Sequence, residues 1–249
     1  MPPAAQEQFL TIMFTDLVGS TQMKTEWGTP KFLADIWEPH EAILKRVIEG
    51  VGGAKFRGSR GDGYRVTFTS PKAAVEVALK FQYELRSHEF ANGVRPQVRI
   101  GIHCGTVQIL ANGDIAGLGA DICGRITDSC CQSGQTLLTK SAHDQAVEYL
   151  KNSELSLNEA ESRSISWQTH GEWKFKGIDS EWELFEVSLD GMERLPPPTE
   201  SSKAWLFVDA GDWRPVAGEP FEKRPGWTLE KKLGQKADSV KSGLLGTKR

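Results

Sequence analysis

Two carboxylates stand out by their surroundings. Asp16 follows the apolar run 9–14 and precedes the small, flexible Gly19-Ser20-Thr21. A carboxylate at a strand end, beside a turn with free backbone N–H groups, can hold a divalent cation and a polyphosphate together. Mg²⁺ takes oxygen ligands and is usually bound by one or two carboxylates plus substrate phosphates. The same residue also reads as the N-cap of a following helix. Asp62 lies between Gly61 and Gly63, where backbone and ion can approach closely, although Asp-Gly is also an ordinary turn pair. The two acids are informative as a pair, and only if their strands lie side by side. Sharing two cations, they would neutralise phosphate charge and activate an attacking oxygen. Asp114 stands in an Asn-Gly-Asp turn, and Asp121 and Arg125 fall four residues apart on one helix face. That spacing makes either an ion pair worth a few tenths of a kcal/mol or a cation free to meet charge building on a transferring phosphate.

These residues need elements to position them. Leu10, Ile12 and Phe14 recur at period two, which predicts a buried strand ending at Asp16, after a disordered leader over 1–8. Thr29-Pro30 opens a helix, and Pro39 predicts a break in it. Residues 54–56 and 64–68 predict a hairpin around Asp62-Gly63. Ser70-Pro71 starts a further helix. Residues 98–103 and 107–110 predict two strands, 119–129 a helix, 135–139 a strand, 141 onward a helix, and 172–177 with 182–187 a final strand pair. Hairpins mixed with helices argue for an α+β layered domain over 9–189 and against a doubly wound parallel sheet. Gly117-Leu118-Gly119 lacks the strand–loop–helix unit and the glycine spacing of a dinucleotide loop.

Composition narrows the function classes. The 249 residues carry a formal net charge of −3 and no basic stripe, which argues against nucleic acid as a partner. No apolar run is long enough to cross a bilayer, and the N-terminal segment lacks the features of a secretory signal. The four cysteines show no CxxC spacing. Free thiols and a cytoplasmic setting are expected.

Four segments together resemble the class III nucleotidyl (adenylate/guanylate) cyclase catalytic domain: Phe-Thr-Asp-Leu-Val-Gly-Ser-Thr at 14–21, Gly-Asp-Gly at 61–63, Arg-Ile-Gly-Ile-His-Cys-Gly at 99–105 and Phe-Lys-Gly at 175–177. Each is weak alone, but they fall in register over residues 8–189. The resemblance implies a ferredoxin-like, antiparallel-rich sheet, a head-to-tail homodimer with active sites at its interface, and Mg²⁺ or Mn²⁺, two per site. It implies attack of the 3′-hydroxyl of ATP or GTP on its own α-phosphate, with release of pyrophosphate. By position, Asp16 and Asp62 resemble the metal carboxylates, and the Leu17 carbonyl a further ligand. Gly19, Ser20 and Thr21 would cradle phosphates, Asp114 would read adenine, Arg125 would meet transition-state charge, and Lys176 would contact phosphate. Two positions depart. Gly58 stands where the family places a base-reading lysine, with Arg57 and Arg60 nearby but out of register. Asp121 stands where it places a ribose-orienting asparagine. An ionised Asp accepts but cannot donate a hydrogen bond, and losing one positioning contact can cost on the order of a hundredfold in rate.

Residues 190–249 change character. The stretch 195–202 reads as a linker, and 224–235 resembles the entry to a Ser/Thr protein kinase domain without the Gly-rich loop that would follow. The first functional expectation is therefore an ATP-using cyclase making cyclic AMP. The second is a catalytically silent cyclase-like module that binds nucleotide, or dimerises, to regulate a fused kinase.

Overall fold

The computed structural model describes residues 6–192 and 195–207. Its centre is the βαββαβ order that the sequence predicts. Strand β1 spans Gln6–Leu17, β2 Ala54–Arg60, β3 Gly63–Phe68 and β4 Val98–Ile109. In the sheet they stand in the order β4-β1-β3-β2, the antiparallel ferredoxin-like arrangement. Beyond β4 the sheet continues through β6 (Thr136–Thr139), β9 (Glu181–Leu189), β8 (Ser162–Phe175) and β10 (Ala204–Phe207). Two short strands lie off this path: β5 (Ile115–Ala116) on β4 and β7 (Glu154–Ser156) on β8. Among the described residues only the β4–β6 pairing is parallel.

Helices cover both faces. Among them are α1 (Ser20–Trp27), α2 (Thr29–Phe32), α3 (Glu38–Val51), α4 (Pro71–Ser87) and α6 (Lys140–Leu150). Helices α3, α4 and α6 bury Ile43, Leu44, Val75, Phe81 and Ala142 against Met13, Val66, Ile100 and Leu138 of the sheet. Helix α5 (Leu118–Ser129) covers the other face, with Ala120, Ile122, Cys123 and Ile126 against Ile12, Val107 and Leu137. The pleat of β1 sorts its side chains accordingly. Met13 and Leu17 join the first core, while Leu10, Ile12 and Phe14 pack on the α5 side, and Asp16 is next in that alternation.

Several sequence expectations need correcting. The first strand already begins at Gln6, because Gln6, Glu7 and Gln8 pair with Ile109, Gln108 and Val107; they are not leader. The turn at Gly19 opens α1, a helix the sequence analysis missed. The break at Pro39 takes the form of a π-helical turn, Leu33–Trp37, that hands over to α3 with Pro39 in its first turn. Residues 98–109 form one strand, since every residue of 98–109 finds a partner on β1. The domain does not end at Leu189. The 195–202 stretch lies on it, and β10 adds a further strand to the edge beside β8. The kinase-like segment 224–235 lies outside the described residues, as does 1–5. All four cysteines are free and buried. Among the described residues no helix is long and apolar enough to cross a membrane.

Helix α5 lies close on β4 because Gly101 presents no side chain to it. A Cβ there would sit 2.4 Å from Thr127 Oγ1 and 3.0 Å from the Cys123 carbonyl. Gly119 makes the reciprocal approach, with the Thr106 carbonyl 2.8 Å from its virtual Cβ. Gly101→Ala should therefore lift α5 and destabilise the fold by about 1–3 kcal/mol. A urea melt reads this, and a midpoint unchanged from wild type would refute the close-packing account.

Candidate active site

The register of β1 brings the two carboxylates together. Phe14 pairs with Arg65 on β3, so Asp16 falls opposite Gly63, one residue from Asp62. The Tyr64 N–H donates to Thr15 Oγ1 at 3.1 Å, which fixes that register next to the site. Asp62 itself closes the tight β2–β3 hairpin with Gly61, whose φ of 67° suits a glycine. Asp16 feels the second acid. The Asp16 carboxyl is pushed above the usual carboxylate range, first by burial and then by the charge of Asp62, while Arg99 pulls it back.

A cavity of about 830 Å³ opens between this sheet end and α5. Asp16, Asp114, Asp121 and Arg125 all line it, as do Arg65, Asp128 and Lys203. Residues 117, 121, 124, 125 and 128 of the α5 segment share the facing side, as helical spacing requires. Asp62 lies at the margin, where Gly63 and Tyr64 form the wall. Leu17, Gly19, Ser20, Thr21, Gly58 and Lys176 are not among the lining residues. Leu17 is buried in the opposite core. Gly19, with φ 73°, is the N-cap of α1, and no side chain caps that helix, so its first N–H groups remain available to an anion. Gly58 sits in β2 beside an irregularity in the pairing, and Lys176 is exposed just past β8.

Cations accompany the acids. Arg99 Nη1 donates to Asp16 at 3.1 Å, a direct neighbour in the β1–β4 register. Lys24 of α1 lies 3.9 Å from Asp62. Arg65 Nη1 donates to Asp114 at 2.6 Å, and its guanidinium lies 5.3 Å over the Phe14 ring. Asp121 and Arg125, by contrast, make no ion pair with each other among the described residues. Arg125 is thus not drawn away by the acid one turn before it.

Sequence reasoning missed Arg65, Asp128, Lys203 and the partners Arg99 and Lys24. Arg65 had a signal: folding 54–60 on 63–68 about Asp62 pairs Arg65 with Gly58. Its guanidinium therefore stands beside the place left empty at 58. Asp128 could have been found three residues beyond Arg125 on the same face. Lys203 had none, since a proline-rich stretch separates it from the domain.

The pair has the chemistry to share a cation with a phosphate-bearing ligand. Two neighbouring carboxylates, one raised by burial and then by the charge of the other, would be relieved by a divalent cation. Among the described residues no group of three or more His, Cys, Asp or Glu side chains could hold a metal on its own. Two carboxylates fit Mg²⁺ or Mn²⁺ completed by phosphate oxygens.

Comparison with known proteins identifies the family and the fold. The family model for the adenylate and guanylate cyclase catalytic domain matches residues 3–165. A comparison with curated proteins gives no match. Among solved structures, an adenylate cyclase from Trypanosoma brucei in its monomeric state superposes with TM-score 0.62 at 18% identity, covering 76% of this chain and 92% of that one. The adenylate/guanylate cyclase/hydrolase from Silicibacter pomeroyi gives 0.60 at 19%, covering 75% and 99%. The guanylate cyclase domain of RhGC from Catenaria anguillulae, in complex with GTP, gives 0.56 at 20%, covering 74% and 99%. These likenesses establish the fold, and the family match covers well over half of the sequence. The chain belongs to the family of adenylate and guanylate cyclase catalytic domains.

Proposed function

We propose that this domain is a nucleotidyl cyclase that converts ATP to cyclic AMP and pyrophosphate, working as a homodimer in intracellular signalling. One observation carries the reading: the β1–β3 register sets Asp16 beside the Asp62 hairpin, on the cavity that also receives Arg125 and Asp114. Bound divalent cations, held by Asp16 and Asp62 with the Leu17 carbonyl, would neutralise the phosphates and acidify the 3′-hydroxyl. The chain's own residues do the rest. The N–H groups at the start of α1 receive phosphate oxygens. Arg125 meets the charge that develops at the α-phosphate as the 3′-oxygen attacks and pyrophosphate leaves. Asp121, ionised, can accept from a ribose hydroxyl, a weaker substitute for a side chain that both donates and accepts.

Base choice falls to Asp114 and Arg65. Together they present an acceptor and a donor side by side. Adenine answers with its amino group donating to Asp114 and a ring nitrogen accepting from Arg65. Arg65 thereby does from β3 what Gly58 cannot do from β2. Exposed Phe9, Leu110 and Leu118 stand on β1, just past β4 and at the start of α5, an apolar border suited to a second copy. Residues from both chains would then share each site.

A second reading is favoured by a separate observation. Asp16, Asp62 and Asp114 each carry an internal cation, which would suit a nucleotide-binding or dimerising module without turnover, regulating a fused kinase.

Incubation with ATP or GTP and Mn²⁺, with products identified by mass spectrometry, separates the two readings. Cyclic nucleotide is expected, and triphosphate binding without any would favour the silent module. Asp16→Ala and Asp62→Ala should each lower turnover by at least about a hundredfold, because several kcal/mol of charge stabilisation rests on the metal carboxylates. Either variant turning over at the wild-type rate would remove the metal assignment. Arg65→Ala should reduce kcat/KM for ATP by about tenfold or more, the worth of one hydrogen bond from a charged donor; an unchanged ATP/GTP ratio would exclude it from base reading. If two chains build each site, mixing the inactive Asp16→Ala and Arg125→Ala chains restores part of the activity. A mixture as inactive as its components would place each site within one chain.

A further inference from the structure

Lys203 lies far outside the family match, which ends at residue 165, yet it lines the same cavity as Asp16 and Arg125. The chain is tied down on its way there. After β9 it crosses the C-terminal end of α5, where the Thr199 N–H donates to the Cys130 carbonyl at 3.3 Å. Gln132 Nε2 donates to the Pro197 carbonyl at 3.3 Å and Gln135 Nε2 to the Pro196 carbonyl at 3.4 Å. A tight turn follows. Ser201 Oγ accepts from the Lys203 and Ala204 N–H groups at 3.2 and 3.1 Å, and the Ser201 N–H donates to the Ala204 carbonyl at 2.7 Å. Strand β10 then pairs with β8, the Lys176 N–H donates to the Lys203 carbonyl at 2.8 Å, and Ala204 is fully buried. The backbone at 203 is thus held on both sides, and the exposed Lys203 lines the cavity.

The charges say which end of the cavity it serves. Asp128, near the C-terminal end of α5, lines the cavity with Asp16 and acts electrostatically on it, so the C-terminal end of the helix and Asp16 lie on the same side of the cavity. The strap that carries Lys203 is bonded at that same end, just past α5. Asp114 and Arg65, the base-reading pair, line the cavity from just before β5 and from β3. Of the three cations lining the cavity, Arg65 is committed to Asp114. Arg125 and Lys203 form no ion pair among the described residues. They approach the cavity from different elements, one from α5 and one from the strap, near a pair of acids that calls for cations. A polyphosphate in the cavity would offer oxygens to both.

We propose that Lys203 is a triphosphate-binding residue, delivered into the nucleotide cavity by the strap 195–207. This rests on the nucleotide reading above and adds a phosphate contact from beyond the matched family region. It also reassigns the lysine contact: Lys176 supplies a backbone N–H that positions Lys203, and Lys203 supplies the ammonium.

The test uses the full chain with Mn²⁺ and a non-hydrolysable ATP analogue, measured by calorimetry beside KM and kcat for ATP. Lys203→Ala should weaken analogue binding, and raise KM, by about tenfold, the worth of one charge-assisted hydrogen bond. Lys203→Arg should recover most of that loss. Adenosine, which has no phosphates, should bind Lys203→Ala and wild type alike, and the thermal midpoint should not move. Unaltered analogue affinity in Lys203→Ala overturns the proposal. So does equal weakening of analogue and adenosine, which would make 203 a structural position of the strap. A wild-type chain that binds no triphosphate would instead overturn the nucleotide reading itself, an outcome visible before any variant is made.

Discussion

The alternation of β1 is the constraint on which the site depends. Side chains on a strand point alternately to its two faces, so one residue of slip would send the whole set to the wrong side. Here the α5 face takes Leu10, Ile12 and Phe14, and the opposite face takes Met13 and Leu17. Burial of apolar side chains on both faces pins the register from two directions. Asp16 gains its position from that pinning, because nothing in its own chemistry would hold it half-buried beside a second carboxylate. Pairing with β3 on one side and β4 on the other then brings Asp62 and Arg99 to it as neighbours.

Charge balance follows from that geometry. The cavity wall carries Asp16, Asp114, Asp121 and Asp128 against Arg65, Arg125 and Lys203. The structure settles these acids locally: Arg99 on Asp16, Lys24 at the longer distance on Asp62, Arg65 on Asp114. These pairs are partly exposed, and pairs of that kind are worth little individually. They can therefore yield to a metal-bound triphosphate at low cost. The same feature that favours a silent module is compatible with an active one, and the two differ in how the pairs rearrange when ligand arrives.

The parts that local pattern controls were legible in the sequence. Period-two apolar residues gave β1 and its face, helical spacing gave α5 and the shared side of Asp121 and Arg125, and Asp-Gly gave the hairpin that holds Asp62. Errors came where long-range pairing overrides local signals. Cys104-Gly105-Thr106 looked like a break, but β1 runs alongside and pairs straight through it. Gln6, Glu7 and Gln8 are polar and looked like leader, yet edge-to-edge pairing needs only backbone groups. Gly58 looked like a missing function. Its cross-strand neighbour Arg65 could be seen only once the hairpin was folded in register.

Lys203 shows the same principle at greater range. No periodicity links residue 203 to Asp16, and the intervening prolines mark a break in regular structure. A proline-rich segment cannot pair along its own length, because proline lacks the N–H, but its carbonyls remain acceptors. Gln132 and Gln135, just past α5, use the Pro197 and Pro196 carbonyls in that way. The prolines thus serve as a stiff bridge across the helix end, and the first residues able to donate again, Thr199 and then 201–204, lock the turn into β10. What reads locally as a domain boundary is the route by which a late lysine reaches the cavity that an early aspartate lines.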